Sequence, residues 1–585
     1  MSSAHKGVRT GRRSIKALPV AALAIGTAGL FVTAPSAHAD GAPQPHAYTA
    51  AAPQRTATQA ELKARAAAAV KAEQRKADRS ALAGSTSGST ASPYIIGGTT
   101  TTIAKAPWMV QLFYYDAAAG DGFFCGGTVI SPTKILTAAH CVKGADWYNN
   151  GVVLSGTDQF DDPNATASLV ATQWNHPSFN ATTLDNDVAV LTVDPLTPLA
   201  STAKALPITS STDTASYTPG KTAAVYGWGR ISSTTQDLAQ TLKTATLPIN
   251  SDATCTNWIG GFVPGHMVCA GDPATGTDAG TTSPCNGDSG GPLVENGKIV
   301  GVVSWGITDC VAKGAHSVFT KVSTYAGAVN QRIDDASLLG PNSGDALADL
   351  FARTPAGAGY MYQSKGSNFA PRTSVGDFSG LNLVRQSDLN RDWVQDLVVR
   401  DTGGHLWYLN PMDGSATDIG GGWNSMKTIT LPGDITGDGK PDLFATDTSG
   451  TAWVYPGTGT GKFGTRIKIG TGWQTYGGVV YGKGDLTNDG RPDIVGRDSS
   501  GTLWLYKGTG NASAPWSARV KIGAGWNTYN AMASTGDMTG DGKADLLARD
   551  SAGKLWLYKG TGSATAPYAG RVLIGSGWQI YNLFG

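Results

Sequence analysis

Charge is scarce in this chain. Asp, Glu, Lys and Arg make up 15% of its 585 residues, against about a quarter in ordinary globular proteins. The 45 Lys and Arg nearly cancel the 44 Asp and Glu, leaving a net charge of +1. No global field therefore draws in nucleic acid or an anionic membrane, and a strongly basic binder is excluded. After the first 39 residues no stretch approaches the roughly 18 apolar residues of a membrane-spanning helix. Cysteine is confined to six positions between residues 125 and 310. Gly is plentiful, with 77 copies, Thr is frequent, and the hydrophobic share of 41% is enough for real cores. This composition reads as β-strands joined by tight turns and argues against a helical bundle. The length fits three or four ordinary domains or two large ones.

Residues 1–39 read as a signal peptide. Lys6, Arg9, Arg12, Arg13 and Lys16 form a basic end, an apolar run follows from Ala17 to about Ala34, and Ala37-His38-Ala39 is an A-x-A cleavage site before Asp40. Arg12-Arg13 faintly resembles a twin-arginine signal, but such pairs are common in basic ends. The product is expected to be secreted, extracellular, without a membrane anchor, and monomeric. Residues 40–94 are poor in aromatic residues. Their Ala/Lys/Glu/Arg block from Gln59 to Ala83 favours helix but is expected to have little to bury. The Gly84–Ser92 tract reads as a flexible, protease-accessible linker. A propeptide fits this segment better than a domain does.

Cys125, Cys141, Cys255, Cys269, Cys285 and Cys310 are an even set in an exported chain, which favours disulfides over a metal site. Six cysteines allow 15 pairings; pairing of neighbours is the simplest. Three segments nearby carry chemistry. Leu136-Thr137-Ala138-Ala139-His140-Cys141 ends an apolar strand in a His. Asp185-Asn186-Asp187-Val188-Ala189-Val190-Leu191 heads an alternating strand with a carboxylate. Cys285-Asn286-Gly287-Asp288-Ser289-Gly290-Gly291-Pro292-Leu293 places a Ser in a loop too Gly-rich for helix. A Ser hydroxyl is a poor nucleophile near neutrality. It needs a neutral imidazole to take its proton and a buried carboxylate to fix that imidazole's tautomer.

These motifs, together with Ile95-Ile96-Gly97-Gly98 and Ser304-Trp305-Gly306, occur in the order of a trypsin/chymotrypsin-type serine protease, which residues 95–335 closely resemble. The resemblance implies an all-β unit of two six-stranded antiparallel barrels. It also implies disulfides Cys125–Cys141, Cys255–Cys269 and Cys285–Cys310. It makes Ser289 the nucleophile, His140 the general base and then acid, and Asp187 the orienting carboxylate. The backbone N–H groups of Gly287 and Ser289 become the oxyanion hole. Asp185 is the competitor for Asp187, and its position suits a solvated loop. The resemblance further implies activation by a cut after Tyr94. The freed amine of Ile95 then inserts beside Asp288, so activity should fade as that amine, with a reference pKa near ~8, deprotonates. A Tyr before the cut argues against a tryptic activator.

The pocket floor implied by the resemblance is Ser283, with Ser304, Trp305 and Gly306 around it. A floor without Asp lacks the charge that would offset desolvation of a Lys or Arg. The expected preference is for aromatic or large apolar residues, which makes self-activation at Tyr94 coherent. Pro284 departs from the trypsin pattern, and Asp309 could reach the pocket from the side.

After a linker at 336–342 the composition changes. Gly433-Asp434-Ile435-Thr436-Gly437-Asp438-Gly439-Lys440-Pro441-Asp442 recurs at Gly484–Asp493 and Gly536–Asp545, with leading aspartates 51 and 52 residues apart. A weaker copy starts at Asp388 and a truncated one at Asp349. The four fuller copies are followed by aromatic hairpins around Trp407, Trp453, Trp504 and Trp556, and the truncated one by Tyr360-Met361-Tyr362. Repeats near 50 residues made of short strands indicate a β-propeller, here of five blades over residues 343–585. This part resembles FG-GAP/VCBS repeats. The D-x-T-x-D-G-x-x-D loops offer hard oxygen ligands suited to structural Ca²⁺: Asp434, Asp438 and Asp442; Asp485, Asp489 and Asp493; Asp537, Asp541 and Asp545. The loop at Asp388 suits it less, because Trp393 replaces the Gly. The favoured reading is an extracellular endopeptidase acting on protein or peptide substrates, its propeller docking substrate or a surface glycan or protein. The competing readings are a binding protein with the protease fold as scaffold, and a propeller that only adds stability.

Overall fold

The computed structural model describes residues 56–82, 95–258, 260–307, 310–333 and 347–585. The expected signal peptide, about half of the expected propeptide including Tyr94, Asp309 and the expected linker 336–342 lie outside the described residues.

Six strands close the first barrel: Met109–Asp116, Asp121–Ser131, Lys134–Thr137, Gly151–Ser155, Thr166–Asn175 and Ala189–Val193. They are rich in Val, Leu, Ile and Thr, whose branched side chains pack well on a pleated surface. Val110, Leu112, Ile135, Leu136, Val153, Val170 and Leu191 fill the interior. The second unit is a sheet of seven strands. In order these are Thr99–Thr100, Lys243–Pro248, Thr222–Gly227, Pro292–Glu295, Lys298–Trp305, Ser317–Lys321 and Met267–Ala270. Its closure into a barrel rests on a single bridge, Ile249 to Ala270. Pro248, which has no N–H, ends the ladder there. Beyond it Gly271 N–H to Pro248 O, Asn250 N–H to Cys269 O and Asn250 Nδ2 to Gly271 O hold the seam. The pattern of neighbouring cysteines is observed: Cys125–Cys141, Cys255–Cys269 and Cys285–Cys310 are bonded.

One expectation fails. The helix Gln59–Leu82 forms, but it is not short of things to bury. Leu62, Ala66 and Ala69 are fully buried against the first barrel. Small side chains hide their amphipathic pattern in the sequence, yet they let the helix backbone come close to the sheet.

The C-terminal part is five four-stranded blades. Four are consecutive meanders. In the remaining one Leu350–Arg353 pairs with the chain's last strand, Leu583–Phe584, so the truncated copy at Asp349 is completed by the far end of the sequence. Three blades repeat one device. Trp453, Trp504 and Trp556 donate from Nε1 to Asp447, Asp498 and Asp550 at 3.2, 2.8 and 2.9 Å. Arg466, Arg519 and Arg571 lie over the same rings at 4.1, 4.0 and 4.1 Å. Trp423, Trp526 and Trp578 are buried core.

The helix Val322–Ile333, which closes the two-barrel part, joins it to the repeats. One face packs Val322, Tyr325 and Val329 into the core of the first barrel. Its end meets the repeat loops: Asn330 Nδ2 donates to Gly490 O at 2.6 Å and Gln331 Nε2 to Asp485 O at 3.2 Å. Arg332 Nη2 pairs with Asp537 Oδ2 at 2.8 Å, and both side chains are almost wholly buried. The Asp388 loop also faces the protease, with Lys134 Nζ 5.6 Å from the ring centre of the buried Trp393.

Candidate active site

The strand Lys134–Thr137 runs out of the first barrel into a single turn, Ala139–Cys141, which is pinned by the Cys125–Cys141 disulfide. His140 stands on that turn, partly exposed. Asp187 heads the strand Ala189–Val193 and is completely buried. Its Oδ2 lies 2.8 Å from His140 Nδ1, and its Oδ1 accepts the His140 backbone N–H at 2.8 Å. Such an acceptor fixes the proton on Nδ1 and leaves Nε2 as the basic nitrogen. Two further groups hold Asp187, one at its carboxylate and one at its backbone carbonyl. Ser304 Oγ donates to Asp187 Oδ2 at 2.6 Å, and Thr320 Oγ1 to the Asp187 carbonyl at 2.6 Å. The sequence placed Ser304 only at the pocket and gave no role to Thr320. No local signal marks Thr320, because it reaches Asp187 from a strand 133 positions away. Asp185, the competitor, is bonded elsewhere, to His266 Nδ1 at 2.7 Å.

Ser289 sits in the loop between Cys285 and Pro292. Gly287 and Gly290 there have φ of +94° and +81°, the left-handed region that disfavours side chains. The loop is tied to the His140 segment: Gly126 N–H donates to Ser289 O at 2.7 Å. A Cβ at Gly290 would lie 2.1 Å from Thr137 Oγ1, so only Gly permits this approach. Ser289 and His140 share no direct hydrogen bond within 3.5 Å; without substrate that bond is often long and tightens on binding. Among the described residues no protein acceptor takes the backbone N–H of Gly287 or Ser289, so both are free to meet an oxyanion.

Asp288 is fully buried. Its oxygens accept from Gly229 N–H at 2.8 Å and Cys285 N–H at 2.9 Å. Burial nonetheless pushes its pKa up to about 7. Ile95 is buried among Val225, Leu247 and Leu293. Ile96 O accepts the Ser283 N–H at 3.0 Å, lacing the start of this unit to the position expected at the pocket floor. Ser283 Oγ lies 3.0 Å from Ser317 Oγ, and both residues are buried. Ser317 lies outside every short motif and meets Ser283 only in the folded sheet. Trp305 is half-buried beside the Cys255–Cys269 core, and Gly306 is exposed. Asp309 cannot be placed, being outside the described residues.

Of the acidic repeat loops, one gathers its carboxylates. Oxygens of Asp485, Asp489 and Asp493 lie within 4.8 Å of one another. Burial first, then the charge of Asp489, pushes the Asp485 pKa up to about 6. Three crowded, partly desolvated carboxylates with hard oxygens fit a calcium ion. In all three loops the first aspartate caps its own turn, Asp485 accepting from Thr487 and Gly490 N–H at 2.9 and 2.6 Å. Asp434 accepts from Gly437 and Gly439 N–H at 2.6 and 2.7 Å, and Asp537 from Gly540 and Gly542 N–H at 2.7 and 2.7 Å. Asp438, Asp442, Asp541 and Asp545 are not drawn together with them as closely. Cys125, His140 and Cys141 also cluster, but the disulfide leaves those sulfurs unable to bind metal.

Comparison with known proteins agrees with this geometry. Residues 95–329 match the family described as Trypsin. Residues 434–495 and 485–548 match the FG-GAP-like repeat. A trypsin of Saccharopolyspora erythraea is 37% identical over 241 residues, which is 41% of this chain and 98% of that protein. Trypsin-3 of Salmo salar is 35% identical over 216 residues, covering 36% of this chain and 84% of its own. A trypsin of Sus scrofa is 32% identical over 243 residues, 41% of this chain and 95% of that one.

Proposed function

The chain belongs to the trypsin family of serine endopeptidases, with FG-GAP-like repeats behind the protease unit, and from that premise we propose that it is a secreted zymogen whose Ser289–His140–Asp187 triad cleaves after aromatic or large apolar residues. The observation that carries the mechanism is the imidazole of His140 held at Nδ1 by a buried, triply bonded carboxylate, with the Ser289 loop packed on the same segment.

In this reading Ser289 Oγ attacks the scissile carbonyl while its proton passes to His140 Nε2. The negative oxygen is met by the N–H groups of Gly287 and Ser289. His140 then gives its proton to the departing amine, the C–N bond breaks, and an acyl-enzyme remains. Water enters, loses a proton to His140, and releases the acid and Ser289. Asp187 stays ionised throughout and stabilises the imidazolium. Substrates are proteins or peptides.

Activation follows from Asp288. A carboxylate buried with two N–H donors and, among the described residues, no cation beside it gains a partner when cleavage after Tyr94 creates the ammonium of Ile95. Specificity follows from Ser283 and Ser317, which offer hydroxyls and no charge at the pocket floor. A phenol, as in Tyr94 itself, is well matched to such a floor. In the propeller we assign calcium to Asp485, Asp489 and Asp493 in a structural role, and its free face to docking of substrate or a surface glycan or protein.

Two measurements test the reading. Ser289→Ala should lower peptide turnover by roughly 10⁶, the scale of triad removal in another serine protease. The purified Ser289→Ala zymogen should stay uncut alone and be cut between Tyr94 and Ile95 when active enzyme is added. Retained turnover in the variant would remove the triad from the mechanism, and a zymogen left uncut by active enzyme would remove self-activation.

A further inference from the structure

The helix Gln59–Leu82 is built and seated like a structural element, which is more than an activation peptide requires. It starts on a capping box: Glu61 N–H donates to Thr58 Oγ1 at 3.2 Å, while Thr58 N–H donates to Glu61 Oε2 at 2.8 Å. Leu62, Ala66, Ala69 and Ala72 form one buried stripe at helical spacing. The first three pack with Phe113, Val152, Leu154 and Leu169 of the first barrel. The barrel is shaped for it. Gly122 lies where the helix crosses, and a Cβ there would fall 2.9 Å from Ala69 Cα.

The rim is polar and specific. Gln59 makes a two-bond clamp on the Ala167 backbone, Nε2 donating to the carbonyl at 2.7 Å and Oε1 accepting the N–H at 2.9 Å. Lys63 Nζ donates to Pro163 O at 2.6 Å, Arg65 Nη1 to Asn149 O at 2.9 Å, and Lys76 pairs with Asp121. Each of these contacts joins a residue before the Tyr94–Ile95 bond to one after it without involving the bond itself, so cutting that bond breaks none of them. No cysteine lies in residues 40–94, so packing alone would hold the helix afterwards.

The stripe also leads toward the chemistry. Phe113, against which Leu62 and Ala66 cluster, lies 6.3 Å between ring centres from Phe124. The Phe124 ring abuts Gly287, and a Cβ there would lie 2.6 Å from it.

We propose that the pro-helix is not discarded on activation but remains on the first barrel as a second, non-covalent chain, and that through Phe113 and Phe124 it is a positioning element for the Gly287 oxyanion donor. The proposal rests on the zymogen reading for the place of the cut. The experiment is native size-exclusion of enzyme whose new N-terminus has been read by sequencing, followed by denaturing mass spectrometry of the peak. The expected result is one peak containing the chain from Ile95 and a fragment spanning Gln59–Leu82. Leu62→Asp should release that fragment. Enzyme freed of the fragment in mild urea should lose several-fold in kcat with KM little changed, and synthetic peptide 56–82 should restore it. A fragment in a separate peak, or its absence beside a fully active mature chain, overturns the proposal; so does lost kcat that the peptide cannot restore. If sequencing finds no cut at Ile95, the activation reading fails by itself. An added protease acting in the Gly84–Ser92 tract then frees the helix from the chain, and retention is read in the same way.

Discussion

Asp187 is the residue on which the site depends most heavily, because four bonds converge on it and none reaches water. Asp187→Asn keeps the volume but lets the amide donate to Nδ1, which turns the imidazole to the wrong tautomer. Turnover should fall by about 10⁴, the magnitude known for that exchange in a Ser-His-Asp protease of this family, with little change in thermal stability. Ser304→Ala removes one donor only and should cost far less. Asp288 gives a pH prediction. Burial raises its pKa from the usual carboxylate range to about 7. A raised carboxyl contributes stability below its unfolded pKa and loses that contribution as pH rises through the folded one. The uncut Ser289→Ala chain should therefore lose stability between about pH 4 and pH 7, and Asp288→Asn should remove that part of the slope. Urea midpoints across this range decide it, and an unchanged slope in the Asn variant would sink the assignment. In the cut enzyme the Ile95 ammonium offsets the charge, so activity should decline only as that amine titrates near ~8.

At the scale of elements, the acidic loops differ in what they can hold. Asp485, Asp489 and Asp493 already converge, so Asp485→Asn should abolish a calcium-dependent rise in melting temperature measured against chelator. Asp434→Asn should change that rise less, because Asp438 and Asp442 are not gathered around it as Asp489 and Asp493 are around Asp485. Much of the site was legible because its chemistry sits in contiguous motifs: His140 beside Cys141, Asp187 at a strand head, Ser289 among glycines. Ser317 and Thr320 were not, since the strand Ser317–Lys321 carries no motif and meets Ser283 and Asp187 only in the folded sheet. The docking of the pro-helix was hidden for a different reason. An Ala stripe barely differs from an Ala-rich solvated helix until the facing surface, with Gly122, is known.

Over the whole molecule, the repeat spacing was enough to indicate five blades, but not that Leu583–Phe584 would close the ring or that the repeat loops would carry the protease. The junction is concentrated at the end of the helix Val322–Ile333. Removing one partner of a buried ion pair leaves the other uncompensated, which costs about 3–5 kcal/mol. Arg332→Ala should accordingly lower stability on that scale and split one thermal transition into separate protease and propeller transitions in calorimetry. A single unshifted transition would show that the Arg332–Asp537 pair does not couple the two parts.

A triad protease with an uncharged pocket is decided by cleavage rates of the enzyme starting at Ile95 on peptides that differ only in the residue before the scissile bond. Strong turnover is expected after Tyr, Phe or Leu and little after Arg or Lys. Turnover confined to Arg and Lys would contradict the reading of Ser283 and Ser317 as the pocket floor and point to a carboxylate such as Asp309.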